Sequence, residues 1–375
     1  MKKNYYFLLI VSVLLFSSTR NAKDSEFLIV PVDFNSDVSI PLSTIADEIK
    51  AIELELTDES LINPDRIQRF HFLDDHIILY ELDKILVFDM NGKFVCTIGS
   101  KGQGPREYTR IEKFAVDEKA KRLIIVNSPR IICYDLTGKF LFQSNSFFET
   151  GSKVVFDLIR LNDDMFIMAD QFVGMNERGA DAPGTFSQPK LYKVDDNFRI
   201  TDSITYRKTF YESLVFYMHI WNNLILKSNS NAYVYFPDYM GGKKKASEPS
   251  LQDTLYRFEK NKLIPDLKLQ FKNNGISGSE KIIELGGIYR STRFVFAVYI
   301  KSGGAGLFRF CYDIKTKMGY NMKSGFTDDI NQIEKRINIR PFNSNTEMFY
   351  YWHTHMKPDD KDEPNPTLYI GKLKK

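Results

Sequence analysis

Two stretches of the sequence repeat each other, and this repeat restricts the possible folds more than any other feature. Ile85–Phe94 reads ILVFDMNGKF, and Ile131–Phe140 reads IICYDLTGKF. Each stretch holds an apolar run, a polar turn with glycine and the start of a second apolar run, which is the signature of a β-hairpin. Weaker copies follow at Lys190–Ile200, Thr254–Ile264, Leu307–Gly319 and Thr367–Lys375. A repeat of this kind at intervals of about 40–60 residues is typical of β-propeller blades.

Two further strand-like runs precede each hairpin, so the repeating unit is a four-stranded meander. In the fourth unit these runs are Leu214–Ile220 and Leu224–Lys227. The sixth unit ends near its third strand, and Ile49–Leu56, which alternates apolar and polar residues, is predicted to supply the fourth. Glu280–Leu285 and Asp328–Lys335 are possible short helical turns. The predicted fold class is all-β: a single six-bladed β-propeller closed by pairing of an N-terminal strand with the last blade.

The N-terminus has the pattern of a secretory signal. A short basic start is followed by the apolar run Tyr5–Phe16 and by small residues, so residues 1–22 are predicted to be a signal peptide, with an uncleaved anchor as the alternative. Residues 23–37 would be a linker, and residues 38–375 the propeller. The formal net charge of the whole chain is +3. Three basic residues lie in the predicted signal, so the remaining chain is near neutral and lacks the positive charge of a nucleic-acid binder.

No motif in the sequence predicts a cofactor or a metal site. Cys96, Cys133 and Cys311 each lie in a strand-like run and are predicted to be buried thiols, with one disulfide left as an alternative. His353 and His355 share one face of a strand, but a metal site needs further ligands. The glycine-rich stretch 99–108 lacks the Lys-Ser/Thr ending of a phosphate-binding loop and is predicted to link two blades.

The chain resembles the NHL-repeat-like six-bladed β-propellers of exported Gram-negative envelope proteins. The resemblance rests on four stretches: Pro41–Glu55, Ile85–Phe94, Val95–Gly99 and Gly102–Tyr108. It covers roughly residues 38–375 and implies a propeller located in the periplasm or cell envelope. It implies no single activity.

In a four-stranded blade, the loop from strand two to strand three and the linker to the next blade open on the same face. Three of these loops are long: about Gln171–Pro189, Pro237–Gln252 and His355–Pro366. Since long loops on a rigid scaffold often carry function, we predict a ligand-binding face there. Its candidate residues are Glu81, Arg106, Tyr108, Asn127, Asp170, Tyr239, Tyr299, Trp352 and His353.

The function predicted from these features is that of a non-catalytic binding module, which we expect to be a monomer. Its partner would be a glycan, a peptide or an envelope protein, and the membrane would be contacted only through an uncleaved N-terminal anchor. The alternative is a glycan lyase or hydrolase with its site in the propeller channel, because an acid–base pair assembled from different blades would leave no sequence motif.

Overall fold

The computed structural model shows the predicted all-β architecture, with six sheets that each supply one propeller blade. The structure describes residues 27–33, 37–145, 153–161, 163–171, 185–211, 223–228, 231–239, 252–271, 282–301, 306–342, 347–355 and 364–375. Most of the three long loops and the predicted signal peptide lie outside these residues.

The blades follow one another along the chain as four-stranded antiparallel meanders. Blade one contains β3 (Ile67–Leu73), β4 (His76–Glu81), β5 (Lys84–Asp89) and β6 (Phe94–Thr97). Blade two contains β7 (Lys113–Asp117), β8 (Arg122–Asn127), β9 (Arg130–Asp135) and β10 (Phe140–Ser144). Blade three contains β11 (Lys153–Leu161), β12 (Asp164–Gln171), β14 (Lys190–Val194) and β15 (Ile200–Thr205).

In every blade the strands are named in order from the propeller axis outward. Blade four contains β17 (Ile225–Ser228), β18 (Asn231–Val234), β19 (Thr254–Glu259) and β20 (Lys262–Phe271). Blade five contains β21 (Ile282–Arg290), β22 (Phe294–Lys301), β23 (Gly306–Asp313) and β24 (Met318–Met322). Blade six contains β25 (Arg340–Pro341), β26 (Met348–His353), β27 (Thr367–Leu373) and β2 (Ala46–Glu53). A small separate sheet pairs β13 (Thr185–Ser187) with β16 (Thr209–Tyr211).

The predicted closure of the ring is confirmed. Strand β2 pairs antiparallel with β27, with Ile49 opposite Gly371 and Ile52 opposite Leu368. From Ile52 onward, buried and exposed residues alternate: Ile52 and Leu54 are buried, whereas Glu53 and Glu55 are exposed. This period of two is what a strand with one buried face requires, and it is why this segment can be identified from the sequence.

Apolar side chains fill every interface between neighbouring blades. For example, Ile124 of blade two and Ile167 of blade three share one cluster, and Ile52 of blade six shares another with Leu79 of blade one. A middle strand packs against both neighbouring blades, so β8 (RLIIVN) is buried along its whole length. The outer strand β15 is almost entirely exposed. The continuous apolar runs of the sequence are therefore the middle strands of blades.

The aspartates that mark the repeat shape the turn between the third and fourth strands. The Oδ1 atom of Asp89 accepts hydrogen bonds from the backbone N–H groups of Asn91 (2.8 Å) and Lys93 (2.9 Å). Asp135 and Asp195 form the same pair of bonds in blades two and three. A short acceptor side chain that satisfies two turn N–H groups stabilises the reversal of the chain, which explains why the motif recurs.

The structure corrects the strand assignment in blade four. The innermost strand is β17 (Ile225–Ser228), and the second is β18 (Asn231–Val234), so the predicted second strand is in fact the first. The predicted first strand, Leu214–Ile220, lies outside the described residues. The turn after β19 also differs from the other blades, since Lys260 and Asn261 both have positive φ, as a two-residue hairpin requires.

Neither predicted helical turn is present in the described residues. Ile282–Leu285 belongs to β21, and residues 328–335 form bends held by Asp328, which accepts hydrogen bonds from the N–H groups of Ile330 and Asn331. The structure shows two short 3₁₀ turns elsewhere, at Leu42–Thr44 and Pro64–Arg66.

A fifth strand lies at the outer edge of blade four. Strand β1 (Leu28–Val32) falls within the segment predicted as a linker, and it pairs parallel with β20. Val30 and Val32 face the core and are fully buried, whereas Ile29 is exposed. The exposed residue Pro31 has no N–H group, which limits further pairing on the free edge of β1.

The three cysteines are free thiols, as predicted. Cys133 and Cys311 are buried, and Cys96 is half-buried. Burial raises the pKa of all three thiols, so they remain protonated at neutral pH. Within the part of the chain that the structure describes, no helix has the length and apolar character needed to cross a membrane.

The closure can be tested with one truncated side chain. Ile52→Ala removes buried methyl groups from the interface between blades six and one, and we expect it to lower the free energy of unfolding by about 2–4 kcal/mol. Glu53→Gln, on the exposed face of the same strand, should change it by less than about 0.5 kcal/mol. Chemical denaturation measures both, and equal effects would contradict the proposed importance of this interface.

Candidate functional site

A cavity of about 480 Å³ lies between blades five and six, on the face where the long loops open. Four parts of the chain form its wall: the two middle strands of blade five, the linker to blade six, the end of β26 and the 3₁₀ turn before β3. The lining residues are Pro64, Asp65, Val298, Leu307, Arg309, Lys335, Arg336, Ile337, Asn338, Ile339, Arg340, Tyr351, Trp352, His353 and Thr354.

The linker that supplies the largest share of this wall folds back on itself. Phe326 and Ile337 exchange two backbone hydrogen bonds, of 2.9 and 2.8 Å. Gly325 lies at the start of this arrangement with a φ of 93°, and a Cβ atom there would lie 2.3 Å from the carbonyl oxygen of Ile337. Only glycine fits such a position, because it combines a left-handed backbone with a close approach of another chain segment.

A segment before β2, residues 37–44, holds the linker from outside, and we call it the N-terminal strap. The N–H group of Leu42 donates to the carbonyl of Thr327 (2.9 Å), and the N–H group of Thr327 donates to the carbonyl of Ile40 (3.0 Å). The Ser39 hydroxyl donates to the carbonyl of Gly325 (2.7 Å), and Arg336 donates to that hydroxyl (2.9 Å). The strap thus fixes the backbone that carries Lys335, Arg336 and Arg340.

Among the described residues, two arginines reach the cavity and have no carboxylate partner there. Arg309 donates to the carbonyl of Lys323 (3.4 Å), and Arg340 donates to the carbonyl of Gln68 (2.7 Å). Burial and the neighbouring charge of Arg340 lower the pKa of Arg309, although an arginine remains protonated at any physiological pH. The site therefore has a positive charge that is only partly exposed to water.

The aromatic part of the wall supports one of these guanidinium groups. The Arg340 guanidinium carbon lies 4.5 Å from the centre of the Trp352 ring, a cation–π arrangement. Trp352 is in turn stacked with Tyr350, at 6.3 Å between ring centres. The indole therefore holds Arg340 in place.

His353 supplies a neutral polar group to the same wall. Burial lowers its pKa, and the nearby His355 and Lys335 lower it further, whereas Asp328 acts in the opposite direction. The imidazole is therefore uncharged at neutral pH and can donate one hydrogen bond and accept another.

The two histidines of the sequence pattern are close to each other. The His353 and His355 rings lie 4.6 Å apart at an angle of 85°, and His355 Nε2 is 2.7 Å from the Tyr369 hydroxyl. The described residues contain no cluster of three or more His, Cys, Asp or Glu side chains suited to a metal ion. The structure therefore adds no third ligand to this pair within that part of the chain.

The other seven candidate residues lie outside this cavity, and their polar atoms hold loops and linkers. Asp170 accepts hydrogen bonds from the Ser187 hydroxyl (2.6 Å), the Gln188 N–H group (2.8 Å) and the Tyr239 hydroxyl (2.7 Å). Asn127 Oδ1 accepts from the N–H groups of Thr109 (3.1 Å) and Arg110 (3.2 Å). The ligand-binding assignments of Asn127, Asp170 and Tyr239 remain predictions.

The remaining predicted residues have equally local contacts. Glu81 is buried and accepts from the Asn63 N–H group at 3.4 Å. The Tyr299 hydroxyl donates to Asn321 Oδ1 (2.6 Å). Tyr108 is buried, and burial raises its pKa to about 12. The exposed Arg106 side chain lies over the Phe140 ring, 5.5 Å from its centre, and its carbonyl accepts from the Tyr134 hydroxyl. Their roles in ligand binding also stay predictions.

Sequence analysis identified Trp352 and His353 but missed the cationic residues. One signal was present: Arg309 interrupts the apolar run Leu307–Tyr312 with a charge between two phenylalanines. Such a residue inside a buried strand needs a partner or a polar cavity.

The described residues near the propeller axis also line two smaller spaces of about 20 Å³ each, roughly the room that one water molecule needs. Arg69 of blade one lines both spaces and lies 3.7 Å from Asp157 of blade three. Burial raises the pKa of Asp157, and it lowers the pKa of the neighbouring Lys113 to about 8.

Comparison with known proteins identifies the fold and a family. A family model described as a domain of unknown function, DUF4934, matches residues 27–373. A solved structure of a Bacteroides fragilis protein described as exported superposes with a TM-score of 0.63 at 16% identity, covering 92% of this chain and 100% of that chain. At this identity the likeness concerns the fold alone.

Two other solved structures superpose less closely. A DUF4221 family member from Bacteroides vulgatus has a TM-score of 0.46 at 12% identity, covering 88% of this chain and 97% of that chain. The β-propeller domain of the Trilobed protease from Pyrococcus furiosus has a TM-score of 0.38 at 13% identity, covering 76% of this chain and 77% of that chain. No curated protein matches the chain.

The environment of His353 can be tested by titration. We expect its NMR titration midpoint to lie below 6.5, the ordinary pKa of histidine, because burial and nearby positive charge disfavour the protonated ring. Lys335→Gln should raise the midpoint, whereas Lys262→Gln, which removes an exposed lysine in blade four, should leave it unchanged. A midpoint that does not respond to Lys335→Gln would contradict this description of the site. The resonance is assigned with a His353→Gln variant.

Proposed function

This chain belongs to the DUF4934 family, and we propose that it is an exported binding module that holds its ligand in the cavity between blades five and six. The observation that carries this proposal is the cavity of about 480 Å³, which lies on the long-loop face and has a wall fixed by the N-terminal strap. Ligand sites commonly have volumes of about 300–1,000 Å³ and few, well-positioned polar groups.

Export and location are part of the proposal. The signal pattern of residues 1–22 supports export, and the Bacteroides fragilis protein with the same fold is itself described as exported. The periplasm or the cell envelope is the compartment that fits this pattern. The ligand would be a glycan, a peptide or a loop of an envelope protein.

Binding without catalysis agrees better with the lining residues than hydrolysis does. Glycoside hydrolysis commonly uses two carboxyl groups about 5–10 Å apart. Among the described residues that line the cavity, Asp65 is the one carboxylate, and it is exposed. The alternative of an enzyme site in the channel has less support, because the two spaces of about 20 Å³ that the described residues line there are too small for a sugar ring.

A cavity-filling variant tests the proposal. Leu307 lines the cavity and is half-buried, so Leu307→Trp should fill part of the ligand space. Leu82→Trp is the matched control, because Leu82 is an exposed residue of blade one that does not line the cavity. Both variants and the unmodified protein are screened on a glycan array and a peptide library.

We expect at least one hit of the unmodified protein to be lost in Leu307→Trp and kept in Leu82→Trp, with circular dichroism spectra that remain alike. Hits that Leu307→Trp retains at full strength would place binding elsewhere and refute this site. A screen in which the unmodified protein binds nothing on either array would count against the proposed function as well.

A further inference from the structure

We propose that the ligand of this cavity carries an oxyanion, such as a carboxylate, sulfate or phosphate group, held by Arg309 and Arg340. This inference rests on the proposed function and adds the chemical class of the ligand. The evidence for this inference is the positive charge of the cavity wall, whereas the evidence for the proposed function is the volume and position of the cavity.

Most of the other partly buried arginines in the described residues show what an arginine with a structural role looks like here; Arg130 is an exception, because it donates to the Gly104 and Glu107 carbonyls and to the Gln143 side chain. Arg160 Nε donates to Asp117 at 2.6 Å, Arg290 pairs with Asp266 at 2.5 Å, and Arg293 pairs with Asp313 at 2.7 Å. Two further arginines, Arg122 and Arg207, also have an aspartate partner. In this fold, an arginine that is removed from water is thus commonly neutralised by a carboxylate of the same or the neighbouring blade.

Arg309 and Arg340 depart from this pattern. In the described part of the chain, no carboxylate lies within 4 Å of either guanidinium group, and each group makes one hydrogen bond to a backbone carbonyl. Each guanidinium has five N–H donors, so most remain available to a ligand. The two like charges also lie close enough for Arg340 to lower the pKa of Arg309.

The arginines are held in place before a ligand arrives. Arg340 is fixed by the Gln68 carbonyl at 2.7 Å and by the Trp352 ring at 4.5 Å. The two residues beside Arg309 in β23, Phe308 and Phe310, are buried in the core of blade five. A planar group that is already oriented loses little conformational freedom on binding, and its paired N–H groups match the two oxygens of an oxyanion.

The rest of the wall adds to this preference. Lys335 is exposed at the rim, and Arg336 contributes a further positive charge. The described lining residues thus contain four cationic side chains and one carboxylate, that of Asp65. Walls with one sign of charge around a concave site raise the local concentration of ions of the opposite sign.

Binding is measured by isothermal titration calorimetry with four probes: sodium sulfate, sodium phosphate, a disaccharide of glucuronic acid and the neutral disaccharide of glucose. We expect at least one anionic probe to bind, the neutral disaccharide to bind more weakly, and the affinity to fall as sodium chloride is raised. The three anionic probes distinguish a free ion from an anionic group on a sugar.

Arg309→Gln and Arg340→Gln should each reduce the affinity for the anionic probe roughly tenfold or more, since each removes a charge-assisted hydrogen bond. Arg110→Gln is the matched control, because Arg110 is an exposed arginine that pairs with Glu112 outside the cavity. Equal losses in all three variants would indicate a general effect of net charge and would overturn the assignment.

Thermal unfolding distinguishes a ligand-binding role of Arg309 from a structural role. Arg309→Gln removes one of two like charges, so its unfolding midpoint should stay the same or rise, while Arg293→Gln, which breaks the pair with Asp313, should lower it. A fall in the midpoint of Arg309→Gln together with unchanged anion binding would assign Arg309 to the fold and refute this inference.

The outcomes also separate this inference from the proposed function. A neutral ligand that Leu307→Trp excludes and Arg309→Gln does not affect would keep the cavity as a binding site and overturn its preference for anions.

Discussion

The pairing of β2 with β27 is the interaction on which the rest of the structure depends. A propeller blade buries both of its faces only when it has a neighbour on each side, so an open ring would expose the interface of blades six and one. Closure buries Ile52 there together with Leu79 and Phe342. The N-terminal part of the chain reaches β2 from the side of blade five, where the Val38 N–H group donates to the carbonyl of Asn321 at 2.7 Å. The strap follows that course across blade five and ends beside the linker that forms the cavity wall.

Features that depend on neighbouring residues or on the repeat were predictable from the sequence, and pairings that neither of them indicates were not. The aspartate turns recur because Asp89 and Asp135 bond to N–H groups only two and four residues away. Strand β2 was recognisable from the alternation of apolar and polar residues that begins at Ile52 and from the incomplete sixth unit. Strand β1 was not, because the repeat predicts four strands in each blade and Pro31 argues against a strand. In blade four, Leu224–Lys227 was correctly assigned to a strand, but its place in the sheet depends on which strand it pairs with.

The candidate site shows the same division. The prediction that the ends of the second strands share one face led to Trp352 and His353, and both line the cavity. The same rule also selected Asn127 and Asp170, whose side chains hold the adjacent backbone in place. A strand end needs a polar group to satisfy free N–H groups, and sequence alone does not distinguish such a group from a ligand contact. Arg309 and Arg340 come from different blades, so their proximity follows from blade packing. The NHL-repeat relationship itself stays a prediction, whereas the propeller that it implied is present.

Closure, the strap and the cationic wall are linked through a short series of contacts. Lys323 connects them directly: its N–H group donates to Asp37 of the strap at 3.0 Å, and its carbonyl accepts from Arg309 at 3.4 Å. Arg336 joins the strap to the other side of the wall through Ser39. The strap therefore contacts the residues that orient the cationic groups, although no strap residue lines the cavity itself. Strand β1 lies between the predicted signal peptide and the strap along the chain, so an uncleaved anchor would join the protein at the outer edge of blade four and not at the strap.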